Sequence, residues 1–435
     1  MDPTYPPAPS YYAATAGSEQ TADRSPLLGE YGADVAVLGG GIAGCSAALH
    51  LAQRGYRVAV LEARFVGYGA SGRSGGQTIF GLAASQKALE AQVGRDAADR
   101  LFDLSVEALE CTRELIGTYD IDCEYRANHV HVATKPRHVR ELEQWADELR
   151  AHHGYDSARF LNRADLQAHV RSERYRAGLI DSRSGHLHPL KFTRGLARAA
   201  EGAGVRIFED TRVLRYVQGT GAGHAADVIV HTTHGTVRCK HLILCGNAYI
   251  DGVAPSLARR ILGVGTYIVA TEPLDPAQAK EFLPSNAAIA DINWILDYFR
   301  RTPDHRILFG GRVSYSAVQP PHLAESMRKR MIRVFPELRG VGVAYTWGGY
   351  LDITRSRAPD FGRLAPNVFY LQGFSGHGMS LTALAGKLVA EAVSGTAERF
   401  DVFARIPHRD FPGGPLLRRP SLVLAMLYFR LRDLL

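Results

Sequence analysis

An α/β fold is predicted for this chain: a parallel-sheet domain assembled from separated segments, with an α+β domain on a mainly antiparallel sheet inserted between them. Three observations predict it. Residues 34–62 read in order as apolar strand, glycine turn, helix, apolar strand and acid. Residues 368–394 give strand, glycine turn and helix a second time. Between these copies, from residue 265 onward, the chain changes to long strands bounded by Pro, Asp and Gly.

Each part of the first unit has a physical job. The run 34–38 (DVAVL) is the first strand, and residues 56–61 form the second. Between them, GGGIAG at 39–44 opens a helix that runs to about Arg54. Gly39 allows the tight turn, Gly41 keeps side-chain atoms away from an approaching pyrophosphate, and Gly44 lets helix and strand pack closely. Ile42 and Ala43 stand in the first helical turn, where free N–H groups and the positive dipole end favour phosphate. Glu62 stands where a carboxylate can accept ribose hydroxyls. A glycine pattern alone is generic; this one sits in its full context and reads as a dinucleotide-binding, Rossmann-type unit.

Next comes VGYGASGRSGGQ at 66–77. Its composition also suits a flexible surface loop. Its position after the second strand places it at the carboxyl edge of the sheet, where ligands bind. Ala70, Gly75, Gly76 and Gln77 can follow a flat ligand, and Ser71, Arg73 and Ser74 can donate to it. Residues 85–119 and 137–152 read as helices, and 129–134 alternate as a strand. A helix at 190–201, a strand at 205–209, a hairpin at 227–240 and a buried strand at 241–245 follow. Val213 and Gly246, each just after such a strand, are placed beside the adenosine half of a dinucleotide.

In the inserted domain, strands are expected at 267–271, 294–301 and 306–311, and a helix at 322–334. Tyr298 and Arg300 alternate onto one face. Arg300 can bind a substrate carboxylate bidentately, or be a surface charge. Trp347 is either a pocket wall or core. The late turn, GFSGHG at 373–378, again brings a helix start to the sheet edge, with Gly376, His377, Gly378 and Met379 at the site. His377 is either a donor or a capping residue.

Bulk properties narrow the class. The 435 residues are 46% apolar, with 44 glycines and a net charge of +7 spread along the chain. Short clusters such as Arg328-Lys329-Arg330 read as solvated surface, so no nucleic-acid partner is expected. The five cysteines are irregularly spaced, without CxxC or metal-ligand spacing, which fits a reducing cytoplasm and no metal. Residues 1–31, rich in Pro, Ala, Ser and Tyr, read as a disordered leader. Residues 422–435 are apolar but too short to span a bilayer; they dock on their own domain or rest weakly on a membrane surface.

The motifs GGGIAG at 39–44, VGYGASGRSGGQ at 66–77, YIVATEPL at 267–274, WGG at 347–349 and QGFSGHGM at 372–379 carry a resemblance. So does the tail, with FPGG at 411–414 and MLYFR at 426–430. The chain resembles the FAD-dependent amine and amino-acid oxidase family that includes D-amino-acid oxidase, glycine oxidase and sarcosine oxidase. The resemblance implies FAD, with Glu62 on the adenosine ribose, residues 71–77 beside the flavin and 376–379 near its pyrimidine edge. Some relatives tether flavin to a cysteine in the C-terminal half; no cysteine lies beyond Cys245 here, so the FAD is expected to be non-covalent.

The implied activity is oxidation of the C–N bond of a small amine or amino acid by hydride transfer to flavin. γ-Glutamylputrescine or a related amine is the foremost substrate. A D-amino-acid or glycine-type enzyme and a non-catalytic flavin-binding protein remain as alternatives. The electron acceptor, O2 or another, stays open. Tyr298, Arg300 and His377 are the candidate catalytic residues; no dedicated strong base is evident. The expected FAD domain comprises 32–95, 186–255 and 341–410, the substrate domain 96–185 and 256–340, and a helical tail 411–435.

Overall fold

The structure, a computed structural model, describes residues 9–17, 24–219, 227–250, 252–314 and 322–413. A six-stranded sheet lies at the centre, in the order Asp360–Ala365, Val368–Gln372, His241–Leu244, Val35–Leu38, Val58–Leu61, Arg206–Phe208. Only the first pair is antiparallel. The inner strands are apolar on both faces because both are covered. Helices Ile42–Ala52, Pro189–Gly202 and Gly378–Val393 cover one face through residues such as Leu49, Phe192 and Leu384. A four-stranded sheet, Gly29–Gly32, Gly235–Cys239, Val228–Thr232 and Val213–Gln218, covers the other, packing Val230 and Val237 with Ala36 and Leu244.

A nine-stranded sheet supplies the second domain. Its order is Val343–Thr354, Ile261–Thr271, Ile307–Ser314, Tyr298–Arg301, Ala288–Asp291, Arg126–Ala133, Ala177–His186, Gln77–Thr78, with Ala158–Leu161 also on Ala177–His186. It is antiparallel except where Ala288–Asp291 meets Arg126–Ala133. Side chains alternate across it. Val130, Val132 and Phe299 enter a core with Met327 and Met331 of helix Leu323–Val334. His129, His131, Tyr298 and Arg300 therefore face the opposite way, toward the glycine loop; His129 and Arg300 bond to it directly.

Four expectations are corrected. The segment taken as a disordered leader contains helix Tyr11–Thr15, whose Ser10 side chain accepts from Ala13 N at 3.0 Å, and strand Gly29–Gly32. Tyr11 and Tyr12 are 2% and 0% exposed, so this Pro- and Ala-rich stretch carries two aromatic anchors that bury enough surface to order it. The border drawn at 341 is overturned because Val343–Thr354 pairs along its whole length with Ile261–Thr271 in the antiparallel sheet. Helix Arg95–Thr118 packs Leu101, Leu104 and Ala108 into the helical layer over the parallel sheet, not into the inserted domain's main core. The expected strand at 294–301 is also shorter: only Tyr298–Arg301 pairs, and Trp294 and Leu296 are 39% and 38% exposed. The expected C-terminal tail contacts fall at residues 414–435, outside the described residues.

Two close approaches fix where the helices begin. A Cβ on Gly44 would stand 1.9 Å from the Gly39 carbonyl oxygen, so only glycine lets the first helix lie on its strand. A Cβ on Gly386 would stand 2.5 Å from Ala47 N, where Gly378–Val393 crosses Ile42–Ala52. The Ser46 hydroxyl donates to Ala383 O at 2.6 Å across the same contact. Gly386→Ala should therefore lower unfolding free energy by about 1–3 kcal/mol through overpacking. Gly202→Ala, where the added methyl meets open space, should stay within about 0.5 kcal/mol of wild type. Urea denaturation of both variants measures this; equal stabilities would show that the helix contact is not tight.

Candidate active site

A cleft open to solvent lies at the carboxyl edge of the parallel sheet. Glu62, Val213 and Gly246 line one part, Gly41 and Ser71 another, Phe374 and Thr382 a third. One elongated ligand lying there would meet the early helix start and reach Phe374 and Thr382 beside the late one.

The early turn is preorganised. Gly39 has φ +105°, and the Ser71 hydroxyl accepts from Ile42 N at 3.0 Å, capping the helix. A Cβ on Gly41 would stand 2.8 Å from Ser71 Oγ, so the glycine protects this cap as well as the open space beyond it. Ala43 and Gly44 complete the lining at the helix start. Glu62 Oε2 accepts from Gly40 N at 2.7 Å and Oε1 from Arg64 N at 2.9 Å. Burial pushes its pKa up to about 7, against the pull of those N–H groups. Each carboxylate oxygen keeps lone pairs for a ligand hydroxyl.

The loop at 70–77 is tied at nearly every residue. Ala70–Gly72 forms a short 3-10 turn. Arg73 does not reach toward phosphates: its Nε donates to Tyr68 O at 2.7 Å and Nη1 to Gly348 O at 3.1 Å. Trp347, only 1% exposed, is core, and its Nε1 donates to Arg73 O at 3.0 Å. The Ser74 hydroxyl donates to Met379 Sδ at 3.0 Å, joining the loop to the late helix start. Leu187 N donates to Gly76 O at 2.8 Å. Gln77 bridges the sheet, with Nε2 on Ile289 O at 3.2 Å and Oε1 at 3.3 Å from His129 Nε2.

Arg300 and Tyr298 do share a face, as expected, but both press on Gly75. A Cβ there would strike the Tyr298 ring at 2.5 Å, and Arg300 Nε donates to Gly75 O at 3.1 Å. Arg300 is 2% exposed, and its Nη2 is taken by Leu187 O and the Tyr12 hydroxyl. Its expected carboxylate-binding role is overturned: the guanidinium is a clamp behind the loop.

The late turn is built on positive φ at Gly373, Ser375 and Gly376. A buried carboxylate holds it: Asp352 Oδ2 accepts from Gly373 N, and Asp352 O from Ser375 N at 3.0 Å. Burial raises Asp352 to about 6. His377 is the N-cap of helix Gly378–Val393 but makes no capping bond with its side chain. Burial lowers it to about 4, although the Gly81 backbone bonded to its ring pulls the other way. Its Nδ1 is buried without a partner among the described residues. His131, lowered to about 3 by burial, and His129, also driven well below its usual value, sense the charge of His377. These two histidines were missed in the sequence; their only signal was the HVHV alternation of their strand. At the rim, Arg357 is near enough to His377 to depress it further and lies 5.1 Å over the Trp294 ring.

The residues fit FAD: two helix N-termini, a carboxylate at the ribose end and a glycine loop between them suit one dinucleotide with a flat ring. The family described as FAD dependent oxidoreductase matches residues 34–392. The chain belongs to that family. It is 40% identical over 425 residues to gamma-glutamylputrescine oxidoreductase of Escherichia coli, covering 98% of each chain. It is 38% identical to a probable oxidoreductase of Haemophilus influenzae, covering 92% of each. The solved glycine oxidase from Bacillus cereus superposes with a TM-score of 0.70 at 20% identity, over 87% of this chain and 99% of that one, which shows the shared fold. The protein is thus an FAD-dependent oxidoreductase. All five cysteines are free, none follows Cys245, and among the described residues no side-chain group suits a metal ion. No helix among them is long and apolar enough to cross a membrane.

Glu62 gives a pH test of the ribose assignment. Below about 7 the carboxyl takes up a proton and accepts hydroxyls less well, so FAD affinity should fall as pH drops through that value. Glu62→Gln should bind FAD about tenfold or more weakly at high pH and lose the pH step, since hydrogen bonds to charged groups contribute about 1.5–3 kcal/mol. Flavin-fluorescence titration reads both, and an unchanged pH profile in the variant would remove Glu62 from the ribose.

Proposed function

We propose that this oxidoreductase acts on the C–N bond of a small acylated diamine, γ-glutamylputrescine or a close analogue. The carrying observation is the 40% identity over 98% of both chains with gamma-glutamylputrescine oxidoreductase. When bound, FAD supplies the acceptor for the hydride leaving the carbon that bears the amine. Only the neutral amine can release that hydride, so the protein must disfavour the ammonium. Three histidines, the buried His129 and the half-buried His131 and His377, are held uncharged and can accept an N–H without adding positive charge. The imine formed is hydrolysed by water to the aldehyde.

In this reading Arg357 takes the role of carboxylate anchor. Its charge reaches His377, and Trp294 supports its guanidinium at the rim. The glutamyl end would then sit at Arg357 while the free amine points inward to the histidines.

Anaerobic addition of γ-glutamylputrescine should bleach the flavin absorbance faster than glycine, D-alanine or putrescine does. Bleaching by glycine or D-alanine alone would transfer the protein to the amino-acid-oxidising reading. Retained FAD with no bleaching across the series would favour a non-catalytic flavoprotein. Re-admitting air and assaying peroxide decides between O2 and another acceptor. In Arg357→Ala, KM for γ-glutamylputrescine should rise about tenfold or more with kcat little changed, and KM for N-acetylputrescine should stay as in wild type. A parallel rise for both substrates would exclude Arg357 as the anchor.

A further inference from the structure

The N-terminal helix Tyr11–Thr15 has no part in the reaction just described, yet it sits directly behind the flavin loop. Tyr12 is fully buried, and the neighbouring Tyr11 ring stands edge-on to its own at 5.9 Å. The Tyr12 ring stands edge-on to Trp347 at 5.2 Å and to His188 at 4.9 Å, and its hydroxyl accepts from Arg300 Nη2 at 3.3 Å. Trp347 and Arg300 each hold a backbone carbonyl of the loop, Arg73 O at 3.0 Å and Gly75 O at 3.1 Å. Between those two carbonyls lies Ser74, the residue that reaches Met379 at the late helix start. The Arg300 guanidinium donates to two carbonyls and the Tyr12 hydroxyl, and none of these three acceptors is a carboxylate. Removing the hydroxyl would leave a buried cation short of an acceptor, and it has little freedom to find another.

We propose that Tyr12 is a positioning residue for the cofactor: through Arg300 and Trp347 it sets the loop at 73–75 in the shape that receives FAD. The neighbouring Tyr11 provides an internal control. Its hydroxyl donates to Asp304 Oδ1 at 2.8 Å and its ring stands against Tyr345 at 5.9 Å, so it anchors the same helix without touching either clamp residue. The inference rests on the FAD site and is independent of the substrate reading.

The test compares Tyr12→Phe, Tyr12→Leu and Tyr11→Phe in the full-length protein. Four readouts are used: FAD dissociation constant, shape of the bound-flavin absorbance bands, protease sensitivity of residues 67–77 without FAD, and thermal midpoint. Tyr12→Phe keeps the ring and should weaken FAD about two- to tenfold, the range for one lost hydrogen bond. Tyr12→Leu should weaken it more, alter the absorbance bands and open the loop to protease. Tyr11→Phe should lower the thermal midpoint while leaving FAD affinity and bands as in wild type. Wild-type affinity and bands in both Tyr12 variants would overturn the proposal, as would an equal FAD defect in Tyr11→Phe. Wild-type protein that takes up no FAD would instead overturn the flavin assignment itself.

Discussion

Two helices, Ile42–Ala52 and Gly378–Val393, start side by side at one edge of the parallel sheet, and the cleft depends on how closely they touch. Glycine and serine make that contact: Gly386 lies on the Ala47 amide and Ser46 bonds across to Ala383, while Gly44 lies on the Gly39 carbonyl of its own turn. A side chain at Gly386 would drive the helices apart, and one at Gly44 would lift the first helix off its strand. Their N-terminal dipole ends would then no longer converge on one ligand. A packing constraint thus becomes an electrostatic one, because the two positive helix ends lie where a dinucleotide carries its charges.

The second requirement is a loop whose shape exists before the ligand arrives. Ordering a glycine-rich segment costs backbone entropy, and a segment ordered only on binding draws that cost from the ligand's affinity. Here the cost is met during folding, through the Trp347 indole, the Arg300 guanidinium and the antiparallel bonds at Gln77. Arg300 illustrates the logic. A buried cation that the sequence pointed to as a substrate anchor instead satisfies backbone carbonyls, and an N-terminal tyrosine completes its coordination.

Burial also sets the protonation states around the cleft. It raises Glu62 to about 7 and Asp352 to about 6, and lowers His377 to about 4. The neutral His377 adds no positive charge beside an amine that comes near it, which favours the uncharged amine, the form that can release a hydride from its carbon. The Arg357 guanidinium, 5.1 Å over the Trp294 ring, depresses His377 further.

Local sequence determined the strands flanking Gly39 to Gly44, the acid at 62, the late turn and the antiparallel character of the inserted domain. Each of these is written in neighbouring residues: a run of Val and Leu, a glycine at fixed spacing, a period of two. Tertiary structure alone decided what the long-range partners would be. No local pattern tells that Arg300 is spent on Gly75, that Tyr12 from a Pro-rich start lies against Trp347, or that His129 and His131 come within electrostatic reach of His377. The strand at 343–354 read as part of the nucleotide domain until its ladder with Ile261–Thr271 placed it in the other sheet. The reason is common to all of them. A side chain's role depends on which acceptors and charges surround it, and those neighbours come from residues tens to hundreds of positions away, brought together only when the sheets and helices pack.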